Sequence, residues 1–381
     1  MIYKNFKKKN NLILSEYNSG TGWSEVALSC FSRKKDVKNY ILSMDGLYLI
    51  TNNGLDNKLD FQIKLVSNFI RFSKFSFDRR KIFSIFTIIP LLLAIFKIRP
   101  SSIIISPETL AFPFFLLNKI FNIPSCYLLH GSYSNLFKEN KIKSLHPKDK
   151  FIAVSKFTLK ESEIDTKKCN CSIINPGINK KKWFEDKSKF ELKLISFLEE
   201  KKFITYIAKG LKERKGFNYV YETLNYIENL DFFNEKIFLV LPGKLSKNNI
   251  NRIKKINLNF KKCEIINTGF LSQIDMRRLF SKSSLNILPS KSSKNFYEGY
   301  GLVHLESGAC GTPTVGCYNS GNEDSCNFKG SFLIKFGDIK KLADIIISSY
   351  KDVLEKPDPI SIKSTDQFNQ EINLCFFKNI Y

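Results

Sequence analysis

The stretch Leu285–Asp324, LNILPSKSSKNFYEGYGLVHLESGACGTPTVGCYNSGNED, constrains the fold more than any other part of the chain. Its short apolar run, 285–288, is ended by Pro289 and Ser290 and predicts a buried strand. A polar loop and Gly299-Tyr300-Gly301 then lead into a predicted helix over 302–310. Gly311-Thr312-Pro313 stops that helix, and 314–317 reads as the next strand. Glu298 and Glu306 bracket the glycine turn with Glu-x7-Glu spacing. A helix that opens after glycines presents unpaired N–H groups, and glycine lets a phosphate come close to the backbone. A carboxylate can grip adjacent sugar hydroxyls with its two oxygens. One glutamate on each side of a diphosphate seat therefore suits the two ends of a nucleotide-sugar. The same spacing also fits two solvated glutamates beside a turn.

The rest of the chain repeats the alternation. Strands are predicted from Leu12–Leu14, around 40–51 in one or two pieces, and at 103–106, 125–129 and 151–155. After the charged segment 180–202 they resume at 203–208, 238–243, 264–269 and 331–336. Helices are predicted at 108–121, 217–229, about 247–257, 272–283, 338–353 and 365–378. Alternating strands and helices imply parallel sheets covered on both faces. The charge-rich segment sets an expected boundary between domains at 1–180 and 181–364. Gly20-Thr21-Gly22 turns the first strand toward a helix in a phosphate-loop-like unit, although GTGWSE falls short of the dinucleotide fingerprint. His130 stands at the carboxyl end of a predicted parallel strand, where α/β proteins place ligands and where a histidine also serves structurally. His146 reads as loop and His304 as helix packing.

EGYGLVHLESGACGTPTVG resembles the donor-site motif of the retaining glycosyltransferases of family 4, which have the GT-B fold. Weaker matches follow in the family's order: SGTG at 19–22, HG at 130–131, VS at 154–155, NPG at 175–177 and KG at 215–216. The resemblance implies two doubly wound, Rossmann-like α/β domains facing each other across a cleft. The first would bind the acceptor, and a final helix, about 365–381, would pack back on it. The second would bind the nucleotide-sugar. The resemblance also implies transfer of a sugar from a nucleoside-diphosphate sugar to a hydroxyl with retained configuration. By the same likeness Glu306 would hold the ribose, Glu298 the sugar, and the backbone of Gly299, Tyr300, Gly301 and Leu302 the diphosphate. Lys215 would stabilise leaving-group charge, with Lys209 beside it, although Lys209 stands where arginine is usual and one residue further away. His130 would orient the sugar or acceptor, and Gly22 would line the floor beneath the leaving phosphate. No covalent nucleophile and no DxD pair for a metal are evident, so neither metal nor other cofactor is expected.

Charge limits the partners. Sixty Lys and Arg against 36 Asp and Glu give a net charge of +24, which calls for an anionic partner. Lysines scattered without a recognised nucleic-acid motif argue against nucleic acid, and anionic phospholipid fits better. The apolar run 82–96, flanked by basic residues, is shorter than the about twenty residues a spanning helix needs. It reads as a buried helix kinked by Pro90, or as a membrane-docking surface carrying Phe83, Phe86 and Phe96; both hold if one face is buried and the other wet. The nine cysteines lack CxxC spacing and are expected as free thiols in a reducing cytosol. The N-terminus does not read as a signal peptide. A lipid-linked saccharide acceptor in bacterial surface-polysaccharide assembly, at the inner face of the cell membrane, fits these features. The alternatives are an NAD-dependent oxidoreductase using the 20–25 loop, and a non-catalytic basic membrane- or nucleic-acid-binding protein.

Overall fold

Uninterrupted Ile, Leu, Val and Phe runs become strands buried on both faces, as a parallel sheet with helices on either side requires. The computed structural model describes residues 9–15, 26–43, 47–51, 54–60, 88–106, 110–131, 143–208, 210–231, 233, 235–293 and 296–381. It divides into two units, Met1–Pro176 with Thr365–Tyr381, and Gly177–Ser364.

The first unit contains β1 (Asn10–Leu14), β2 (Lys38–Leu42), β3 (Leu47–Thr51), β4 (Gly54–Asp60), α1 (Ile88–Ile98), β5 (Ser102–Ile105), α2 (Ala111–Phe121), β6 (Ser125–Leu129), β7 (Lys150–Ala153), α3 (Lys156–Ser162) and β8 (Cys171–Ile173). Its sheet has eight strands in the order β4-β3-β2-β1-β5-β6-β7-β8. Every pairing is parallel except β2–β3 and β3–β4. β4 was not legible in the sequence, because GLDNKLD has no apolar alternation; it lies at the sheet edge and pairs only with β3. Pro90 does not kink a long helix among the described residues. It lies in the first turn of α1, where proline is tolerated. Phe83 and Phe86 lie outside the described residues.

The second unit runs β9 (Ile204–Thr205), α4 (Phe217–Glu228), β10 (Ile237–Pro242), α5 (Lys247–Leu258), β11 (Cys263–Gly269), α6 (Gln273–Lys282), β12 (Leu285–Ile287), α7 (Leu302–Ala309), β13 (Thr314–Cys317), α8 (Asn322–Ser325), β14 (Ser331–Ile334) and α9 (Ile339–Tyr350). All its strand pairings are parallel, in the order β11-β10-β9-β12-β13-β14. Counted within the unit, that is the doubly wound order 3-2-1-4-5-6. The direction of winding reverses between β9 and β12, and a crevice opens at their carboxyl ends. Its core includes Ile204, Val220, Leu239, Phe280, Leu285 and Val315, all fully buried. Each such side chain contributes about 1.5–3 kcal/mol.

The chain then returns to the first unit as α10 (Thr365–Cys375), which buries Phe368 and Ile372. Asn369 and Asn373 donate to Phe31 O at 2.9 Å, and Arg33 pairs with Asp366 at 3.0 Å. All nine cysteines are unbridged.

Candidate active site

Helix starts in the second unit are of two kinds, capped by a side chain or started on glycine, and the short α8 on Gly321 is of the second kind. Ser246, Ser272 and Asp338 cap α5, α6 and α9 by accepting first-turn N–H bonds. The two helices that follow β9 and β12 begin instead on Gly216 and Gly301, and neither has a capping side chain. Helix starts of this kind present backbone N–H groups and a positive dipole end, which suit an anion, although His304 N in the first turn of α7 already donates to Gly301 O at 3.0 Å.

Close backbone contacts bring the loops at this end of the sheet together. Gly216 has φ +80°, and a Cβ there would lie 2.1 Å from Pro289 O. Lys291 N donates to Arg214 O at 2.8 Å, and Tyr206 Oη to Lys215 O at 3.1 Å. Lys215 is thereby presented to the loop after β12, where its ammonium is ion-paired with Glu298. The Ser290 hydroxyl donates to the same carboxylate at 3.2 Å. Only 15% of the Lys215 side chain and 14% of Glu298 are exposed, so the pair is largely desolvated. Burial pushes the Glu298 carboxyl up, but the charge and hydrogen bond of Lys215, with Arg214 and Ser290, outweigh it. The net pKa lies below the ordinary glutamate value.

The loop after β13 braces the turn from the other side. Gly321 N donates to Glu298 O at 2.8 Å, and a Cβ on Gly321 would stand 2.1 Å from Gly299 O. Asn322 Nδ2 reaches Tyr300 O at 3.4 Å. Gly301, at φ +93°, is packed where its side chain would be by the Asn322 amide and the His304 ring. His304 is fully buried. Its Nδ1 shares a 2.7 Å bond with Thr314 Oγ1, while Nε2 has no hydrogen-bond partner. Burial pushes this imidazole down to about 3, against the upward pull of Glu298 and with a smaller push from Lys215. Glu306 is half-buried on α7, one turn beyond Leu302.

The second unit thus gathers Lys215, Glu298 and the turn Gly299 to Leu302 at one end of its sheet, with Glu306 on the helix that follows. His130 belongs to the first unit. It follows β6, and its Nε2 shares a 2.8 Å hydrogen bond with Ser106 Oγ, which follows β5. Burial pushes its pKa down to about 3, so the ring is neutral at neutral pH. Gly22 and Lys209 lie outside the described residues. His146 accepts Lys148 N at 2.9 Å in the loop before β7. The sequence did not single out Ser290 or Tyr206 as site residues. Their only signal is position, Ser290 just after the run 285–288 and Tyr206 within the predicted strand 203–208.

Residues 188–365 match the family model described as glycosyl transferases group 1. Among solved structures, the chain is similar to sucrose-phosphate synthase from Thermosynechococcus elongatus, with 14% identity and a TM-score of 0.65 over 98% of this chain and 96% of that one. It is also similar to Anabaena HepE, solved in complex with UDP-glucose, with 11% identity and a TM-score of 0.61 over 97% and 96%. A third likeness is to the lipopolysaccharide outer core galactosyltransferase WaaB in its apo form, with 13% identity and a TM-score of 0.60 over 97% and 99%. The sequence matches no curated protein.

Proposed function

We propose, from the premise that this chain is a glycosyltransferase of the group 1, GT-B type, that it moves a sugar from a nucleoside-diphosphate sugar to a hydroxyl with retention of configuration. The observation that carries this reading is the Lys215–Glu298 pair, set beside the glycine-started α7 at the winding reversal of the second unit. Within the pair each charge neutralises the other. When donor enters, the diphosphate sits on the backbone N–H groups of Gly299, Tyr300, Gly301 and Leu302, and Lys215 turns to its oxygens. Glu298, released, takes the sugar hydroxyls, and Glu306 takes the ribose hydroxyls. Lys209 and Gly22 complete the phosphate surroundings in this reading.

The acceptor oxygen then bonds to the anomeric carbon on the face the diphosphate leaves. The bond from that carbon to the phosphate oxygen breaks, and the acceptor proton passes to the departing diphosphate. Lys215 offsets the negative charge that grows there, which is electrostatic stabilisation of the transition state. Neutral His130 is the residue this reading assigns to orienting the sugar or acceptor. No metal is invoked, and turnover is expected to persist in EDTA.

HepE was solved with UDP-glucose, which makes uridine the first base to test. The name of WaaB, a lipopolysaccharide outer core galactosyltransferase, supports by likeness alone a lipid-linked saccharide acceptor, and the net charge of +24 suits an acceptor held at the inner face of the cell membrane. Thermal shifts with UDP, GDP, ADP and NAD on wild type and Glu306→Ala test the donor site. A ligand at about a hundred times its Kd adds roughly 2.7 kcal/mol. One nucleoside diphosphate should stabilise the wild type and not the variant. A shift with NAD alone, or with none of the four, overturns the assignment. NMR of the product's anomeric proton tests retention.

A further inference from the structure

We infer that the exposed face shared by α1 and α2 docks on an anionic lipid surface, a reading independent of the chemistry proposed for the donor site. On α1 one side is core: Leu91, Ala94 and Ile95 are at most 1% exposed. The other side is apolar as well. Ile89, Leu93 and Phe96, spaced i, i+4, i+7 on one helical face, are 67%, 50% and 62% exposed, and Ile120 of α2 is 66% exposed. The Phe96 ring meets Phe121 edge-on at 5.7 Å and holds the two helices' surfaces together.

The charged residues within α1, α2 and the described segments that carry them have one sign. Lys97, Arg99 and Lys119 are exposed, whereas residues 88–106 and 110–131 contain no Asp or Glu. Apolar side chains that enter the acyl boundary, with lysines whose stems lie along them and whose heads reach lipid phosphates, match the chemistry of an interfacial helix. A second copy of a chain carrying +24 would instead bring like charges together. Among the described residues no helix is long and apolar enough to cross a membrane, so the contact is with the surface.

Co-sedimentation of the full chain with vesicles tests this, using phosphatidylcholine alone or mixed about three to one with phosphatidylglycerol. Wild type should sediment only with the mixed vesicles. Leu93→Ser/Ile120→Ser avoids the Phe96–Phe121 contact and should lose binding at unchanged melting temperature. Lys97→Gln/Lys119→Gln should weaken binding roughly 10- to 30-fold, from about 1 kcal/mol per cation. Wild type remaining in the supernatant with both vesicles would sink the proposal, as would a Leu93→Ser/Ile120→Ser variant that sediments like wild type. A wild-type dimer that this variant turns into a monomer would assign the face to a second copy instead. Nucleotide thermal shifts on the same variants should match wild type, so failure here leaves the donor assignment standing.

Discussion

Lys215 and Glu298 hold each other's charge in a largely desolvated setting. A carboxylate that is 14% exposed is tolerable only because an ammonium faces it. Lys215→Met should therefore destabilise the ligand-free protein by up to about 3 kcal/mol as well as slow turnover. It should also change the pH dependence of folding. With Lys215 present, the depressed Glu298 pKa contributes stability above the unfolded value that is lost as pH falls through the folded one. Without it, burial dominates, and stability should fall as pH rises; melting followed across acid pH distinguishes the two. His304 makes a second prediction of definite sign. Its folded pKa of about 3 lies below its ordinary 6.5, so the unfolded chain binds the extra proton between them. Stability should drop as pH falls through that window, by about 1.4 kcal/mol per unit for one proton, and His304→Met should remove that share. The glutamates and glycines stand out in the sequence by their spacing around a local turn, whereas only the family resemblance singles out Lys215. The Lys215–Glu298 pairing could not be read there, since it joins residues on two loops that only the sheet order makes neighbours.

At the scale of elements, the turn at 299–301 depends on glycines for two physical reasons. Gly301 supplies a backbone with positive φ, whereas Gly321, at φ −63°, is needed because any Cβ would strike Gly299 O. Gly321→Ala should displace the 299–301 turn and abolish nucleotide stabilisation. Gly337→Ala is the control: its φ of +90° brings strain, but an added Cβ meets nothing within 4 Å. It should cost only about 1–2 kcal/mol of stability and leave nucleotide shifts intact. Calorimetry with and without UDP separates the two outcomes. Most helices and buried strands were legible because their apolar runs and Ser or Asp caps are local signals. β4 was not, because only pairing with β3 makes a strand of it. β9 was expected over 203–208 but is confined to Ile204–Thr205, with Tyr206 N still bonding Val240 O at 3.0 Å. The loop must leave the sheet there to bring Gly216 onto Pro289.

For the whole molecule, alternation in the sequence foretold two mainly parallel sheets but neither the antiparallel edge β2-β3-β4 of the first nor the order of the strands, which follows from long-range pairing that no local pattern encodes. The second unit is an insertion within the first, because Thr365–Tyr381 returns to the sheet that opened the chain. Phe368, Ile372, Phe376 and Phe377 are each at most 1% exposed, and the Tyr381 hydroxyl bonds Ser101 and Ser102. Ending the chain after Ser364 should leave the second unit's nucleotide-dependent melting in place while the first unit exposes apolar surface, detectable by dye binding and aggregation. On the ribosome, the half of the protein made first cannot be finished until the half made second has already emerged. The inserted unit can complete its own core earlier, so the amino-terminal unit must wait, partly uncovered, for α10 to close it.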